Sequence, residues 1–497
     1  MASTPKRFRL TDVILSVICV VFVAEAIAPA AAIGNAQFFW WIVLIIAFLL
    51  PYGLVVCELG TTYSQDEGGL YDWVRRAFGD AWASRVAWYY WINFPLWMSS
   101  LAVLFPSTIS AVTGTELAVV PSLAISLAFI WIVVFLSFSR TSEAIWILNT
   151  AAVLKVGIAL VVGGLGLYHA LSSGFAADMS PQTFLPSFDA GALTYLSIIL
   201  FNFMGFEVVA TYAGDMEDPK RQIPRAIILG GIAIAAIYMI SSFGIGAAIP
   251  ASQLSLDSGI MDAVAIMAGN GSWLLIGVGL VFLITLFGNM VSWSFGVNFV
   301  AVCAATDSNL PRTMSTVTAT STMPRGVSIT NGVIASALAA LLPLAQHLGA
   351  EDLFWVLFSV NVVFLLLSYI PMFPALLTLR RVDPDARRVF TAPGGPVLIR
   401  VITWLPVALI VAAVVATIVP LSGSADEMAK LPGLVIVISF LILGEVVRLI
   451  SGRRRQSSYR GMAADGVPQP RVLGAPQSHS TPQAPGEPAT AAPDHQA

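Results

Sequence analysis

The chain has 497 residues, of which 57% are hydrophobic and only 11% are charged, and its mean hydropathy is +0.83. Soluble globular proteins are nearer half apolar and a quarter charged, so this composition excludes a soluble globule and indicates a polytopic membrane protein. The formal net charge of −3 does not bear on orientation, which follows the distribution of Lys and Arg among short loops.

Apolar stretches long enough to cross a bilayer recur along nearly the whole chain. A helix needs roughly 20 residues to cross about 30 Å of hydrocarbon. We therefore predict an all-α fold in the lipid bilayer with about twelve spans, at residues 11–33, 38–62, 82–106, 117–138, 143–169, 191–213, 226–249, 271–303, 328–346, 352–378, 400–421 and 431–450. A cleaved signal peptide is the alternative for span one, but that segment is longer than a signal core and another span follows it.

The cationic residues group at alternate ends of these spans. They lie at the amino terminus, after each even-numbered span and at the carboxyl end, whereas the other loops carry acidic residues and a single lysine, Lys430. Because basic loops stay in the cytoplasm, we expect both termini on the cytoplasmic side of the cell (inner) membrane.

Spans one and six both contain residues that are costly at membrane depth. Lipid provides no hydrogen-bond or charge partner for an ionised side chain or for an unpaired backbone group. These residues are Glu25, Pro29 and Gly34 in span one, and Asn202, Gly205 and Glu207 in span six. The two spans run in opposite directions, so each could be the first helix of a five-helix repeat, with the two repeats inverted relative to each other. Paired interruptions of this kind point to the midplane binding site of a transporter. The alternative is that they only kink packed helices.

Three stretches resemble motifs of the amino acid-polyamine-organocation (APC) transporters. They are CELGTTYSQDEGGLYDWVRRAFGD from Cys57 to Asp80, GFEVVATYAGDMEDPKRQIPRAI from Gly205 to Ile227, and ATDSNLPR from Ala305 to Arg312. The resemblance extends to bacterial amino acid permeases and to polyamine-uptake and glutamate/GABA-exchanger relatives. It implies the LeuT fold, with alternating access around a central site. The implied parts are a cytoplasmic amino terminus at 1–10, inverted repeats at 11–170 and 191–379, and two further helices at 400–450.

The first of these motifs also has a physical interpretation. We expect its Gly-Gly pair to form a tight turn that leads into an interfacial helix. Tyr71, Trp73 and Phe78 would then lie at the headgroup level while Arg75 and Arg76 face anionic lipid.

Lys155 is the only lysine in a predicted span, and nothing in its own helix neutralises it. An ammonium at this depth must be paired, hydrated or neutral. In proton-coupled relatives a lysine on the fifth helix stands where sodium-coupled members bind an ion. The resemblance therefore implies proton coupling and sodium independence through Lys155, with snorkelling toward a membrane face as the alternative.

Two acids lie at the interruptions. Glu207 resembles the family's acid near the substrate and the inner gate, where it could bind a cation, carry a proton or hold the gate. Glu25 could pair with a substrate amine or take a proton. The segment around it, AEAIAPAAAIGNA, departs from the Gly-Ser-Gly-like loop whose amides bind a substrate carboxylate in many amino acid carriers. Because Pro29 lacks an N–H and alanine is less permissive than glycine, an amine or polyamine becomes a candidate substrate.

The predicted substrate-binding residues surround the two interruptions: Glu25, Ala26, Ile27, Ala28, Asn202, Phe203, Gly205 and Phe206. Other side chains could line the same cavity, since aromatic faces suit a cation, although aromatics in membrane helices are mostly packing residues. They are Trp91, Asn93, Trp97, Phe201, Asn289, Trp293 and Asn361. The three cysteines and four histidines show no metal-ligand spacing, so no metal site is expected.

We therefore predict a secondary transporter that moves an amino acid, coupled to protons and independent of sodium. The alternatives are a polyamine or amine importer, an amino acid/amine antiporter, and a membrane sensor that no longer transports. No phosphate-binding loop or catalytic cluster is visible, so no enzyme activity, cofactor or nucleic acid partner is expected. Residues 456–497, rich in Ser, Pro, Gln, Gly and Ala, are predicted to form a disordered cytoplasmic tail.

Overall fold

The computed structural model of the protein describes residues 8–64, 68–139, 141–186, 190–211, 216–250, 253, 259–319, 323–347 and 353–464. In these ranges the chain is almost entirely helical, and its single β-type contact is a backbone bridge between Phe8 and Met216. The helices in chain order are α1 Leu10–Val21, α2 Ile27–Ala31, α3 Gln37–Leu44, α4 Leu50–Thr62, α5 Leu70–Phe78, α6 Asp80–Thr113, α7 Val119–Leu136, α8 Thr141–Ser173, α9 Ala190–Phe201, α10 Val208–Thr211, α11 Pro219–Ala248, α12 Gly259–Ala268, α13 Trp273–Thr306, α14 Arg325–His347, α15 Leu353–Tyr369, α16 Met372–Val382, α17 Pro396–Ile418, α18 Ala425–Met428 and α19 Leu431–Ala464.

Nine helices of the described chain are long and apolar enough to cross a membrane, and a bent helix pair in span one brings the number to ten. The two other predicted spans coincide with α9 and α10, which are separated by a break, and with α14, whose apolar part Arg325–Leu341 is shorter. The protein is thus a multi-pass, all-helical membrane protein, and the count of twelve spans stays a prediction.

Span one is bent by 50° between α1 and the helix that follows it. Phe22 and Val23 have extended backbone conformations, so the break comes before Glu25, which lies in the 3-10 turn Ala24–Ala26. The expectation that Pro29 interrupts this span is wrong. Pro29 is the third residue of α2, where a missing N–H is tolerated because first-turn amides have no partner within their own helix.

Span six is interrupted where the sequence predicts. α9 ends at Phe201 and α10 begins at Val208, and Gly205 between them has φ +113°. The first half of span one, α1, packs on the second half of span six, α10, and α2 packs on α9. Because opposite halves are in contact, the two broken spans run antiparallel and meet at their breaks.

The loops sort onto two faces of the helical bundle. On one face, Arg380 forms a two-point ion pair with Glu58 across α16 and α4, at 2.8 and 2.5 Å. On the opposite face, Asn35 at the end of span one donates to the carbonyl of Asp178 and to the hydroxyl of Thr183, at 2.8 and 2.9 Å. The first contact joins α4 and α16 near their carboxyl ends, so predicted spans two and ten end on the same face.

The motif helix α5 is packed inside the protein and not at the lipid surface, so the interfacial expectation for Tyr71 and Trp73 is wrong. Both side chains are fully buried, and α5 packs on α6 and α16. Arg75 binds Asp307 at the end of α13 at 2.5 Å and Asp80 at 2.8 Å. Charge pairing within the protein therefore replaces the expected contact with anionic lipid.

Two helices approach each other unusually closely through glycines. A Cβ atom on Gly166 of α8 would lie 2.2 Å from the carbonyl oxygen of Gly244 in α11, and one on Gly244 would lie 2.1 Å from that of Gly163. Small residues allow this backbone-to-backbone packing of membrane helices. We refer to Gly163, Gly166 and Gly244 as the glycine seam.

The last helix, α19, continues to Ala464. It therefore includes the first nine residues of the segment predicted as a disordered tail, at 456–464. Residues 465–497 lie outside the described residues.

Candidate functional site

The carboxylate of Glu25 lies beside the break in span one. Both of its oxygens are buried, and no hydrogen-bond partner for either is found in the described part of the chain. The extended backbone just before it is held by α11, since the Val23 N–H donates to the hydroxyl of Tyr238 at 2.8 Å and that hydroxyl donates to the Val23 carbonyl at 3.1 Å. The break is thus fixed by Tyr238 while the acid beside it keeps its acceptor sites open.

The ammonium of Lys155 on α8 is fully buried and bound by three acceptors. It donates to the carbonyls of Cys19 and Phe22 at 2.5 and 2.6 Å, and to Oδ1 of Asn289 on α13 at 2.7 Å. Cys19 belongs to the last turn of α1, the negative end of that helix dipole, and Phe22 is the first residue of the break. Lys155 therefore ties the broken end of α1 to α8 and α13, and the snorkelling alternative does not hold.

The carboxylate of Glu207, at the break in span six, is in a different situation from that of Glu25. It accepts a hydrogen bond from the hydroxyl of Tyr52 on α4, and one of 2.6 Å from the hydroxyl of Tyr90 on α6. Glu207 thus holds three spans together and is already supplied with donors.

The two breaks touch each other at Gly205. A Cβ atom there would lie 2.9 Å from Cγ1 of Val20 in α1 and 3.0 Å from Cζ2 of Trp293 in α13. The indole N–H of Trp293 also donates to the Val20 carbonyl at 2.7 Å. The positive φ of Gly205 and this close approach both require glycine.

We expect Gly205→Ala to lower the free energy of unfolding by about 2–6 kcal/mol, because a strained φ and overpacking each cost about 1–3 kcal/mol. The shift in the thermal unfolding midpoint of the purified protein in detergent measures this loss. Gly157→Ala in α8 is the matched control, because a Cβ there meets no heavy atom within 4 Å, and its midpoint should not fall. Equal midpoints for the two variants would contradict a tight junction at Gly205.

The predicted aromatic residues divide into two groups. The ring of Trp97 lies 5.4 Å from Trp293 and 6.0 Å from Phe201, next to the breaks. Trp91 lies elsewhere, because its indole N–H donates at 2.7 Å to Asn331 on α14. The structure therefore places Trp97 and Trp293 at the candidate site and Trp91 in a separate polar contact.

The remaining predicted substrate-binding residues are buried, and most of them pack against other spans. The rings of Phe203 and Phe206 contact Trp41 and Tyr52, at 5.1 and 5.8 Å between centroids. Ala28 packs on Gly259 in α12, where an added Cβ would lie 2.4 Å from its own. Ala26 and Ile27 have exposed fractions of 4% and 0%. Asn202 and Asn361 are fully buried, and neither side-chain oxygen nor nitrogen has a hydrogen-bond partner in the described ranges.

Sequence reasoning missed the tyrosines that serve this site, Tyr52, Tyr90 and Tyr238. A signal for them was available, because a tyrosine in the middle of an apolar span needs a partner for its hydroxyl when it is buried. The sequence does not show which group on another span supplies that partner. Across the residues that the structure describes, no cluster of His, Cys, Asp and Glu could hold a metal ion.

Comparisons with known proteins agree with this architecture. The family model described as amino acid permease matches residues 8–441. The chain is 48% identical over 449 residues to the probable agmatine/putrescine antiporter AguD of Lactococcus lactis, covering 90% of this chain and 96% of that protein. It is 23% identical over 410 residues to the glutamate/gamma-aminobutyrate antiporter of the same species, covering 80% of each. It is also 23% identical over 398 residues to a probable polyamine transporter of Arabidopsis thaliana, covering 79% of this chain and 74% of the relative.

Proposed function

This chain belongs to the amino acid permease family and is a membrane transporter, not an enzyme, and from that premise we propose that it exchanges small cationic amines across the cell membrane. The relative with 48% identity is named as a probable agmatine/putrescine antiporter. Agmatine and putrescine both carry cationic nitrogen at each end of a short alkyl chain, so they set the substrate class of the proposal.

The observation that carries this proposal is the difference between the two buried acids. Glu207 accepts from two tyrosine hydroxyls, whereas Glu25 accepts from no described residue. A carboxylate at membrane depth without a donor is costly, and the Lys155 ammonium is engaged by three other acceptors. A substrate ammonium or guanidinium would supply the missing donors as charge-assisted hydrogen bonds.

An amino acid is the second candidate substrate, since the family description and the glutamate/gamma-aminobutyrate relative both name amino acids. An amino acid also needs donors for its carboxylate. The alanine-rich segment of span one, with Pro29 inside α2, supplies fewer free amides than a glycine-rich loop would. This chemistry favours the amine.

We also propose that transport is independent of sodium and that Lys155 can couple it to protons. In support, the ammonium occupies the space where the carbonyls of α1 and the oxygen of Asn289 converge, so a cation of the protein already fills an oxygen-lined position. The basic loops after even-numbered spans support the proposal that both termini are cytoplasmic.

Counterflow in proteoliposomes tests the proposed exchange. Vesicles loaded with unlabelled putrescine should take up external labelled agmatine, and vesicles without internal amine should take up much less. Replacing all sodium by choline should not change the rate.

The outcomes of this experiment are distinct. Counterflow that requires internal glutamate or another zwitterion, and that putrescine does not support, would establish the amino acid alternative. Binding of agmatine without any accumulation or counterflow would favour the sensor alternative.

A further inference from the structure

Three buried asparagines occupy the interior of the protein near the breaks. They are Asn93 on α6, Asn202 at the break in span six and Asn361 on α15, and all have exposed fractions of 0%. Five of their polar atoms have no hydrogen-bond partner within the described ranges: Oδ1 of Asn93 and both Oδ1 and Nδ2 of Asn202 and Asn361. Because buried polar groups are nearly always hydrogen-bonded, this number of open atoms calls for a ligand or ordered water.

An aromatic cluster bounds these asparagines on one side. The ring of Phe201 lies 6.0 Å from Trp97 on α6 and 5.6 Å from Phe358 on α15. Asn202 directly follows Phe201, and Asn361 is three residues beyond Phe358 on the same helical face. The same three elements that carry the asparagines are therefore in contact at this level.

A cluster of tyrosines and Glu207 bounds them on the other side. Tyr90 on α6 donates to Glu207 at the end of the break, and the ring of Tyr90 lies 6.3 Å from that of Tyr369 on α15. Asn93 lies between Tyr90 and Trp97 along one face of α6, and Asn361 lies between Phe358 and Tyr369 along α15. Since α6, the break and α15 are in contact on both sides of the asparagines, the three residues lie on neighbouring segments at one level of the bundle. We name Asn93, Asn202 and Asn361 the amide triad.

We propose that the amide triad binds the distal polar end of a two-ended amine whose other end pairs with Glu25, an inference that rests on the proposed function. Trp293 connects the two regions, because its indole N–H donates to Val20 in span one and its ring lies 5.4 Å from Trp97. The three open amide oxygens of the triad suit a nitrogen that donates hydrogen bonds. One N–H of the Asn93 amide is already used by the Tyr90 carbonyl, and the polar atom of that side chain without a partner in the described ranges is its oxygen.

This arrangement selects for substrates with polar groups at both ends. A neutral amide oxygen accepts N–H donors from either an ammonium or a guanidinium, so the triad can receive both diamines and guanidino-amines. A one-ended amine would bury a methyl group against the open amides and leave them unpaired. Sites built to hydrogen-bond a substrate N–H commonly reject the analogue without it by about 10⁴-fold or more.

Competition against labelled agmatine counterflow tests this proposal, with putrescine and butylamine as competitors of equal chain length. The unaltered protein should bind putrescine at least about 100-fold more tightly than butylamine. Asn361→Leu, which removes two open polar atoms at similar volume, should reduce this ratio about tenfold or more. The putrescine affinity should fall while that of butylamine stays constant. Asn202→Ala provides the same test should Asn361→Leu not fold.

Ser100→Ala is the control, because Ser100 is buried on α6 and its hydroxyl donates to the carbonyl of Leu96 in its own helix. It should leave the ratio unchanged. An equal loss of affinity for both amines in Asn361→Leu would overturn the triad as a substrate site and leave amine exchange intact. Failure of the unaltered protein to carry agmatine or to bind either amine would instead overturn the proposed function.

Discussion

Replacing Glu25 by glutamine is expected to weaken the binding of putrescine and agmatine at least about 30-fold. Removing one partner of a buried, hydrogen-bonded charge pair costs about 2–5 kcal/mol, and 2 kcal/mol corresponds to about 30-fold in affinity. The change conserves the shape of the side chain, so it removes the charge while adding only an amide. Inhibition of agmatine counterflow by unlabelled putrescine gives the affinity of each variant.

The matched control is Glu116→Gln, which removes a carboxylate from an exposed loop and should leave the putrescine affinity unchanged. A neutral amino acid tested in parallel separates charge pairing from other roles. If Glu25→Gln weakened the neutral compound as much as putrescine, Glu25 would have a coupling or structural role and would not be the partner of the amine.

Lys155→Met should strongly lower the free energy of unfolding and abolish the accumulation of agmatine that a pH gradient drives. The substitution leaves the carbonyls of Cys19 and Phe22 and the oxygen of Asn289 without their shared donor. With about 1–3 kcal/mol for each buried acceptor left unsatisfied, a loss of about 3 kcal/mol or more is expected. Thermal unfolding in detergent measures the first effect, and agmatine uptake under an imposed pH gradient measures the second.

Lys430→Met is the control for this substitution. Lys430 pairs with Glu427 in α18 and donates to the carbonyl of Ala416 in α17. Because it serves two acceptors where Lys155 serves three, a smaller loss than for Lys155→Met is expected. A pH dependence of uptake that stays the same in Lys155→Met would refute proton coupling at this residue. An unfolding midpoint equal to that of Lys430→Met would refute its role in fastening α1.

The sequence was sufficient to locate the features that are costly in a membrane. Glu25, Lys155 and Glu207 could each be recognised because an ionisable group in an apolar span requires a partner or a function. The break at 202–207 followed from Asn202 and Gly205, two residue types with low helix propensity. The family assignment rested on three sequence motifs, and the match to the family model confirmed the assignment. These features are local, so local residue chemistry predicts them.

The partners of those residues could not be predicted in the same way. Tyr52 and Tyr90 approach Glu207 from two other spans, and Asn289 approaches Lys155 from α13, so each pairing depends on tertiary packing. The difference between the satisfied Glu207 and the open Glu25 became visible only once these contacts were known. Pro29 misled for a related reason, since proline is harmless in the first turn of a helix whose start the sequence did not reveal.

The glycine seam has a consequence for how the site opens. Because the backbones of α8 and α11 touch, these helices cannot part without opening a void between them. Lys155 on α8 donates to the backbone carbonyl of Phe22, and Tyr238 on α11 accepts from the backbone N–H of Val23, the two residues at the bend of span one. The bend is thus clamped by a single rigid unit and is a poor hinge. Access to the substrate is therefore expected to arise from movement elsewhere in the helical bundle and not at this bend.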